Sequence, residues 1–139
     1  SPCRIGNKRM YEILTEITEG RGTEEDLEKL KNLANVIKDT ALCGLGQTAP
    51  NPVLSTLNYF RDEYIAHIKD KTCPSKVCRS LLSYYILEDK CVGCTACARV
   101  CPADAITGEV KKVHRIDLEK CIKCGACMEK CKFGAIIKK

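Results

Sequence analysis

Apolar positions in the first half of the chain recur at helical spacing. Met10, Ile13, Leu14 and Ile17 fall on one face of a helix, and Gly20 and Gly22 then interrupt the pattern. Leu27, Leu30, Leu33, Ala34 and Ile37 form a second stripe, so 24–38 reads as an amphipathic helix. Thr23 and Asp26 at its start have the spacing of a capping box, with Asp in place of the longer Glu. Cys43-Gly44-Leu45-Gly46 reads as a loop. Ala49-Pro50-Asn51-Pro52 reads as a rigid turn, because each Pro biases its predecessor away from the helical region. Asn51 is placed to cap a helix whose first residue is Pro52. Val53, Leu54, Leu57, Phe60, Tyr64, Ile65 and Ile68 carry that helix on to about residue 69. Four helical segments with short connections predict a small bundle over 1–69. The simplest role for each apolar residue in it is core packing.

Residues 70–80 change character. Asp70-Lys71-Thr72-Cys73-Pro74-Ser75-Lys76-Val77-Cys78 has no apolar period and reads as a linker or hinge. Beyond it the pattern repeats at an offset of 30 residues. Lys90-Cys91 to Cys101 aligns with Lys120-Cys121 to Cys131, Ile86 faces Ile116, and Ala105-Ile106 faces Ala135-Ile136. Each repeat reads as strand, Cys loop, short helix, strand, with strands expected at 84–87, 105–107, 114–117 and 135–137. Two such units are too small to bury a core alone, so they are expected to pack as a pseudo-twofold pair over 81–139. The fold class expected for the chain is α+β: a small helical bundle, then a domain with short strands and two short helices.

Composition sharpens this picture at one point. Twelve of 139 residues are Cys, a density found in disulfide scaffolds and metal proteins. No apolar run is long enough to span a bilayer. No basic-then-apolar leader is seen, so the expected location is cytoplasmic. The chain begins at Ser1 rather than Met, and the start of the protein is expected upstream. Residues 1–70 carry 9 Lys+Arg against 11 Asp+Glu, and residues 71–139 carry 14 against 7. A basic, Cys-rich half raises the question of nucleic acid, but neither an RNA-binding aromatic pattern nor a two-Cys, two-His finger is present. If the cysteines hold anionic cofactors as thiolates, the surplus lysines would largely offset that charge, and this is the simpler account of the basic half.

The run C-x2-C-x2-C-x3-C occurs twice, at Cys91, Cys94, Cys97, Cys101 and at Cys121, Cys124, Cys127, Cys131. This is the bacterial ferredoxin run. Three thiolates two residues apart sit on one curled loop and converge on one cube, while a short helix carries the fourth Cys to the other cluster. The expected sets are therefore Cys91, Cys94, Cys97 and Cys131 for the first cluster, and Cys121, Cys124, Cys127 and Cys101 for the second. Gly93 and Gly125 let the backbone come close. Pro102 ends the first turn, whereas Lys132 stands where a second Pro would be expected. A disulfide framework needs wider spacing and an export signal. A zinc site usually has two Cys pairs separated by a longer loop. Residues 80–139 thus resemble the two-cluster ferredoxin domain.

The first half also resembles a known family. Ser1-Pro2-Cys3-Arg4-Ile5-Gly6 and Ala41-Leu42-Cys43-Gly44-Leu45-Gly46 are similar to parts of the helical cluster domain in the NADH- and flavin-binding subunit of respiratory complex I. There, three Cys of a C-G-x-C-x-P-C-R-x-G run and a fourth in a later S-L-C-x-L-G loop hold a 4Fe–4S cluster. The resemblance implies that Cys3 is the third ligand and Cys43 the fourth. The first two would lie upstream of Ser1, so this third site is incomplete here, and FMN and NAD are expected only upstream. Such a subunit with a two-cluster extension resembles the beta subunit of multimeric NAD-dependent, often electron-bifurcating, iron–iron hydrogenases. NAD-linked formate dehydrogenases are similar too.

His67, Cys73 and Cys78 remain. A His followed by Cys-x4-Cys within 12 residues supplies three of the four ligands of a zinc site. The plain alternative is an exposed His and two ordinary thiols. His114 reads as a strand-edge residue with no ligand role. Lys120, Lys123, Lys130 and Lys132 form either a solvated face or a patch for an acidic redox partner. No constellation for acid–base or nucleophilic chemistry is present, so no catalytic residue is expected in this segment. The expected function is electron transfer through two 4Fe–4S clusters in a multi-subunit NAD-linked hydrogenase, with other subunits and soluble ferredoxin as partners. The alternatives are the same role in a formate dehydrogenase, or a non-redox zinc-binding interaction module.

Overall fold

The computed structural model describes residues 1–139 and divides into two compact units, Ser1–Leu81 and Leu82–Lys139. The fold is mixed: helices first, then a ferredoxin-like domain with a few short strands.

The first unit is built on α1 (Pro2–Thr18) and α2 (Glu24–Thr40). Their shared core is Met10 and Ile17 from α1 with Leu27, Leu30, Ala34 and Ile37 from α2, joined by Leu57 and Ile68. Burying each Leu or Ile contributes roughly 1.5–3 kcal/mol, so this stripe is what holds the bundle. Gly6 is buried at the crossing, and a Cβ there would overlap the Ile37 side chain. The start of α2 is capped as its sequence suggests. The Thr23 backbone N–H donates to Asp26 Oδ2 at 2.8 Å, and that bond is the main cause holding the Asp26 carboxyl below its usual pKa. Glu24, Glu25 and Asp26 also complement the helix dipole.

Three features of this unit depart from the expected pattern. The segment 43–46 is no open loop: α3 (Gly44–Thr48) follows Cys43 directly, with the Gln47 side chain donating to the Ala41 carbonyl at 3.0 Å. Packing there overrides the poor helix propensity of its two glycines. The next helix, α4 (Asn51–Tyr59), begins one residue early, with Pro50 as its N-cap and Asn51 inside it. The helix expected to reach residue 69 breaks at Phe60, whose φ of −124° and ψ of 33° leave the helical region. Phe60 is exposed rather than core, so nothing holds the helix straight there. After α5 (Arg61–Ile65) the backbone loosens into a π-turn, Ala66–Asp70. A π-turn carries more residues per turn and shifts the phase of the buried face. That shift buries the neighbours His67 and Ile68 together. The 70–80 segment, read as a hinge, falls within the first unit; it includes buried Cys73 and runs into a 3-10 turn at Arg79–Leu81.

In the second unit the repeat is visible bond by bond. The order is β1 (Tyr84–Ile86), α6 (Ala96–Val100), β2 (Ile106–Thr107), β3 (Arg115–Ile116), α7 (Ala126–Lys130) and β4 (Ile136–Lys138). The strands form two antiparallel pairs, β1 with β4 and β2 with β3, so the first strand of each repeat pairs with the last strand of the other. Ile86 faces Ile136, and Ile106 faces Ile116. Leu87 N–H donates to the Ala135 carbonyl at 2.7 Å, and its repeat mate Asp117 donates to Ala105 at the same distance. Tyr84, Cys97, Ile106, Cys127 and Ile136 make the core between the pairs.

Candidate iron–sulfur centres

The two Cys loops are shaped by left-handed backbone positions. Gly93 (φ 68°) and Lys123 (φ 58°) occupy matching places, as do Thr95 (φ 61°) and Gly125 (φ 82°). Left-handed residues alternating with ordinary ones curl a loop and turn its N–H groups to one side, which favours an anionic group held within the curl. Thr95 and Gly125 then start α6 and α7, which carry Cys101 and Cys131 away from their own loops.

Cys91, Cys94, Cys97 and Cys131 line one cavity together with Ile86, Ala135 and Ile136. The first loop is thus completed by the Cys of the second repeat. In the second loop, Cys121 and Cys124 lie close enough to add to the upward pull on the Cys127 thiol. Cys97 and Cys127 are the buried members, and Cys94 and Cys124 the exposed ones. Burial chiefly, then the neighbouring thiols, raises Cys97, and burial raises Cys127 to about 11. Buried thiols of this kind give up their protons to a strong local positive charge, as a bound iron would supply. The repeat-related N–H groups of Ala105 and Ala135 donate to the Sγ of Cys101 and Cys131, each at 3.4 Å. The donor set, the curled loops and the N–H···S bonds fit two 4Fe–4S clusters.

His114, expected at a strand edge, is instead 1 % exposed and lines the cavity of the first loop. No sequence signal marked it beyond its place 30 residues after Tyr84.

In the first unit, Cys3 lies at the start of α1 against Gly46: a Cβ at position 46 would be 3.3 Å from Cys3 Sγ. A bond with the Ser1 hydroxyl lowers the Cys3 pKa. Cys43 is exposed and caps α3. The fold therefore brings Cys3 to the short helix that Cys43 begins.

The third group is His67, Cys73 and Cys78, whose ligand atoms all lie within 4.8 Å of one another. His67 Nδ1 sits 2.6 Å from the Glu63 carbonyl and so carries the proton, which leaves the Nε2 lone pair facing Cys78 Sγ at 3.4 Å. Burial opposes the Cys73 thiolate, but the N–H groups of Cys78 and Val77, the Cys78 thiol and His67 together bring its pKa down. Burial and the nearby Cys73 push the Cys78 thiol up.

Comparison with known proteins agrees with both halves. Residues 1–67 match the iron–sulfur binding region of the NADH-ubiquinone oxidoreductase F type, and residues 83–132 match the 4Fe–4S dicluster domain. These matches define an iron–sulfur protein segment, its first part of the F-type subunit kind and its second of the dicluster kind. More particularly, the chain is homologous over its whole length to the NADP-reducing hydrogenase subunit HndC of Solidesulfovibrio fructosivorans, at 60 % identity over 139 residues. It spans 28 % of that relative. The F-type subunit of the NADH-quinone oxidoreductase of Mycobacterium bovis is 39 % identical over 74 residues, which are 53 % of this chain and 17 % of that protein. The beta subunit of the NADP(+)-dependent formate dehydrogenase of Moorella thermoacetica is 35 % identical over 69 residues, 50 % of this chain and 10 % of that protein. No helix is long and apolar enough to cross a membrane.

Proposed function

We propose that this chain carries electrons through two 4Fe–4S clusters, one on Cys91, Cys94, Cys97 and Cys131, the other on Cys121, Cys124, Cys127 and Cys101. When bound, each cluster takes up and returns one electron. The single observation that carries the reading is the shared cavity of Cys91, Cys94, Cys97 and Cys131, in which two repeats contribute to one site. The protein groups hold the sulfurs in place and exclude water, and the N–H···S bonds of Ala105 and Ala135 stabilise added negative charge. Cys3 and Cys43 belong to a third 4Fe–4S site whose other ligands lie in the rest of the subunit.

The assembly is a cytoplasmic, multi-subunit NAD(P)-linked hydrogenase. The chain relays electrons between its flavin subunit and another redox partner, soluble ferredoxin among them, and the same chemistry serves electron bifurcation. Similarity over the full chain favours the hydrogenase; the formate dehydrogenase relative covers only half. Anaerobic purification is expected to give a brown protein whose second unit holds eight irons and eight sulfides, with a paramagnetic signal on dithionite reduction. A colourless protein with stoichiometric zinc at those eight cysteines would establish the zinc-only interaction module instead.

A second reading rests on a separate observation, the convergence of His67 Nε2 with the Cys73 and Cys78 sulfurs. These groups suit a zinc ion that pins the 70–80 segment, with a fourth ligand from outside this chain segment.

A further inference from the structure

We infer that Cys73 and Cys78 are a reversible dithiol–disulfide couple, whose closure by a small disulfide such as oxidised glutathione expels the metal held with His67. This rests on the zinc reading of the same three groups and adds their regulation. The two sulfurs and a ring nitrogen of His67 lie within 4.8 Å of one another. Eight of the other cysteines fall to the two proposed clusters, and Cys3 and Cys43 to a third site. The pair at 73 and 78 is thus the one dithiol with no cluster to hold it.

Hydrogen bonds within the segment bring the two sulfurs together. Lys76 N–H donates to the Cys73 carbonyl at 2.9 Å, closing a turn in which Lys76 is left-handed, at φ 53°. Val77 N–H donates to Cys73 Sγ at 3.5 Å and ties that side chain across the turn. Leu81 N–H donates to the Cys78 carbonyl at 3.0 Å, so Cys78 is held at the start of the turn that follows. The loop between the two cysteines is therefore closed before any S–S bond forms, and bringing the sulfurs to the bond length of about 2 Å costs little further chain entropy.

Exposure sets the order of events. Cys73 is buried and Cys78 only half-buried, so the Cys78 sulfur meets the reagent first. The Cys78 thiolate attacks one sulfur of oxidised glutathione, forms a mixed disulfide and releases one glutathione thiolate. The Cys73 thiolate then attacks the Cys78 sulfur, forms the internal disulfide and releases the second glutathione thiolate. Two electrons pass from the two protein thiolates to the reagent, and the two leaving thiolates carry off the negative charge. The segment supplies two thiolates and one imidazole to a metal that takes four ligands. Joining the sulfurs removes both thiolates together and leaves His67 alone, which is too few to retain zinc. The metal content of the subunit would then follow the thiol–disulfide balance around it.

The test uses the full subunit with its clusters, kept anaerobic and treated with excess oxidised glutathione. The expected result is release of the zinc with the iron content unchanged. Trypsin should then give the peptide Thr72–Lys76 joined to Val77–Arg79, a link that dithiothreitol undoes, with zinc bound again once it is added back. Cys73→Ser should stop at the mixed disulfide on Cys78. Should that variant fold poorly, the wild-type peptide map decides alone. Zinc retained with the two peptides unlinked, or zinc released without the link, would overturn the couple and leave the zinc site standing. A wild-type protein that holds no zinc as isolated would overturn the zinc reading, and the couple with it.

Discussion

Gly93 packs so tightly against Lys112 that a Cβ at position 93 would lie 2.5 Å from the Lys112 carbonyl oxygen. Gly93 is also left-handed, at φ 68°. Gly93→Ala thus meets both a backbone clash and a conformational penalty, and is expected to destabilise the second unit by at least about 1 kcal/mol. Gly125→Ala meets only the Tyr84 hydroxyl, at 3.0 Å, and carries the same conformational penalty. Iron retention during a thermal ramp should fall further for the first variant than for the second.

The crossing of the ligand sets gives a test by pairs. Cys91→Ser with Cys131→Ser removes two ligands from one proposed cluster and should leave about half the iron, with one intact signal on reduction. Cys91→Ser with Cys101→Ser takes one ligand from each and should disturb both signals. The opposite pattern would mean that each loop keeps its own fourth Cys.

For the group at His67, Cys73 and Cys78, metal analysis is expected to find one zinc per chain beyond the cluster iron. Cys78→Ala should release it and leave the iron content of the second unit unchanged. In the wild type, zinc removed by a chelator should free both thiols, and Cys73, whose pKa is lowered while that of Cys78 is raised, should react faster with an alkylating agent at neutral pH.

Asp26 supplies a dependence on pH. Its carboxyl is held below its ordinary value of 3.8, first by the Thr23 N–H. A depressed carboxyl pKa means that its stabilisation is present above that value and lost as the pH falls through the folded pKa. Asp26→Ala should cost about 1 kcal/mol at pH 7, in the range of a lost helix cap. The difference from wild type in chemical unfolding should shrink progressively below about pH 4 and vanish once the native carboxyl is protonated.

How far the chain could be read in advance depended on how local each constraint is. The spacing of Cys91, Cys94 and Cys97 is set by the reach of three consecutive turns, so it is written in neighbouring residues. Ile86 with Ile116, and Ala105 with Ala135, then placed all four strands to within a residue or two. The break at Phe60 and the π-turn after it were not legible. The spacing of Leu57, Tyr64 and Ile68 suits a straight helix equally well, and only the Thr56–Tyr64 hydroxyl bond at 2.8 Å and the burial of His67 select the broken one. His114 was missed for a similar reason. Its burial comes from Gly108 and Lys112 folding over it, and a single His beside a strand carries no sign of that closure. The group at His67 was easier to see, because a turn-like segment after a helix end keeps its three residues within reach of one another.

The exchange of strands between repeats bears on how the domain is made and lost. Because β1 is completed by β4 and β3 by β2, neither half has a finished sheet before the other is in place. Folding of both repeats should therefore come before the loading of either proposed cluster, and a chain cut after the first repeat should hold none.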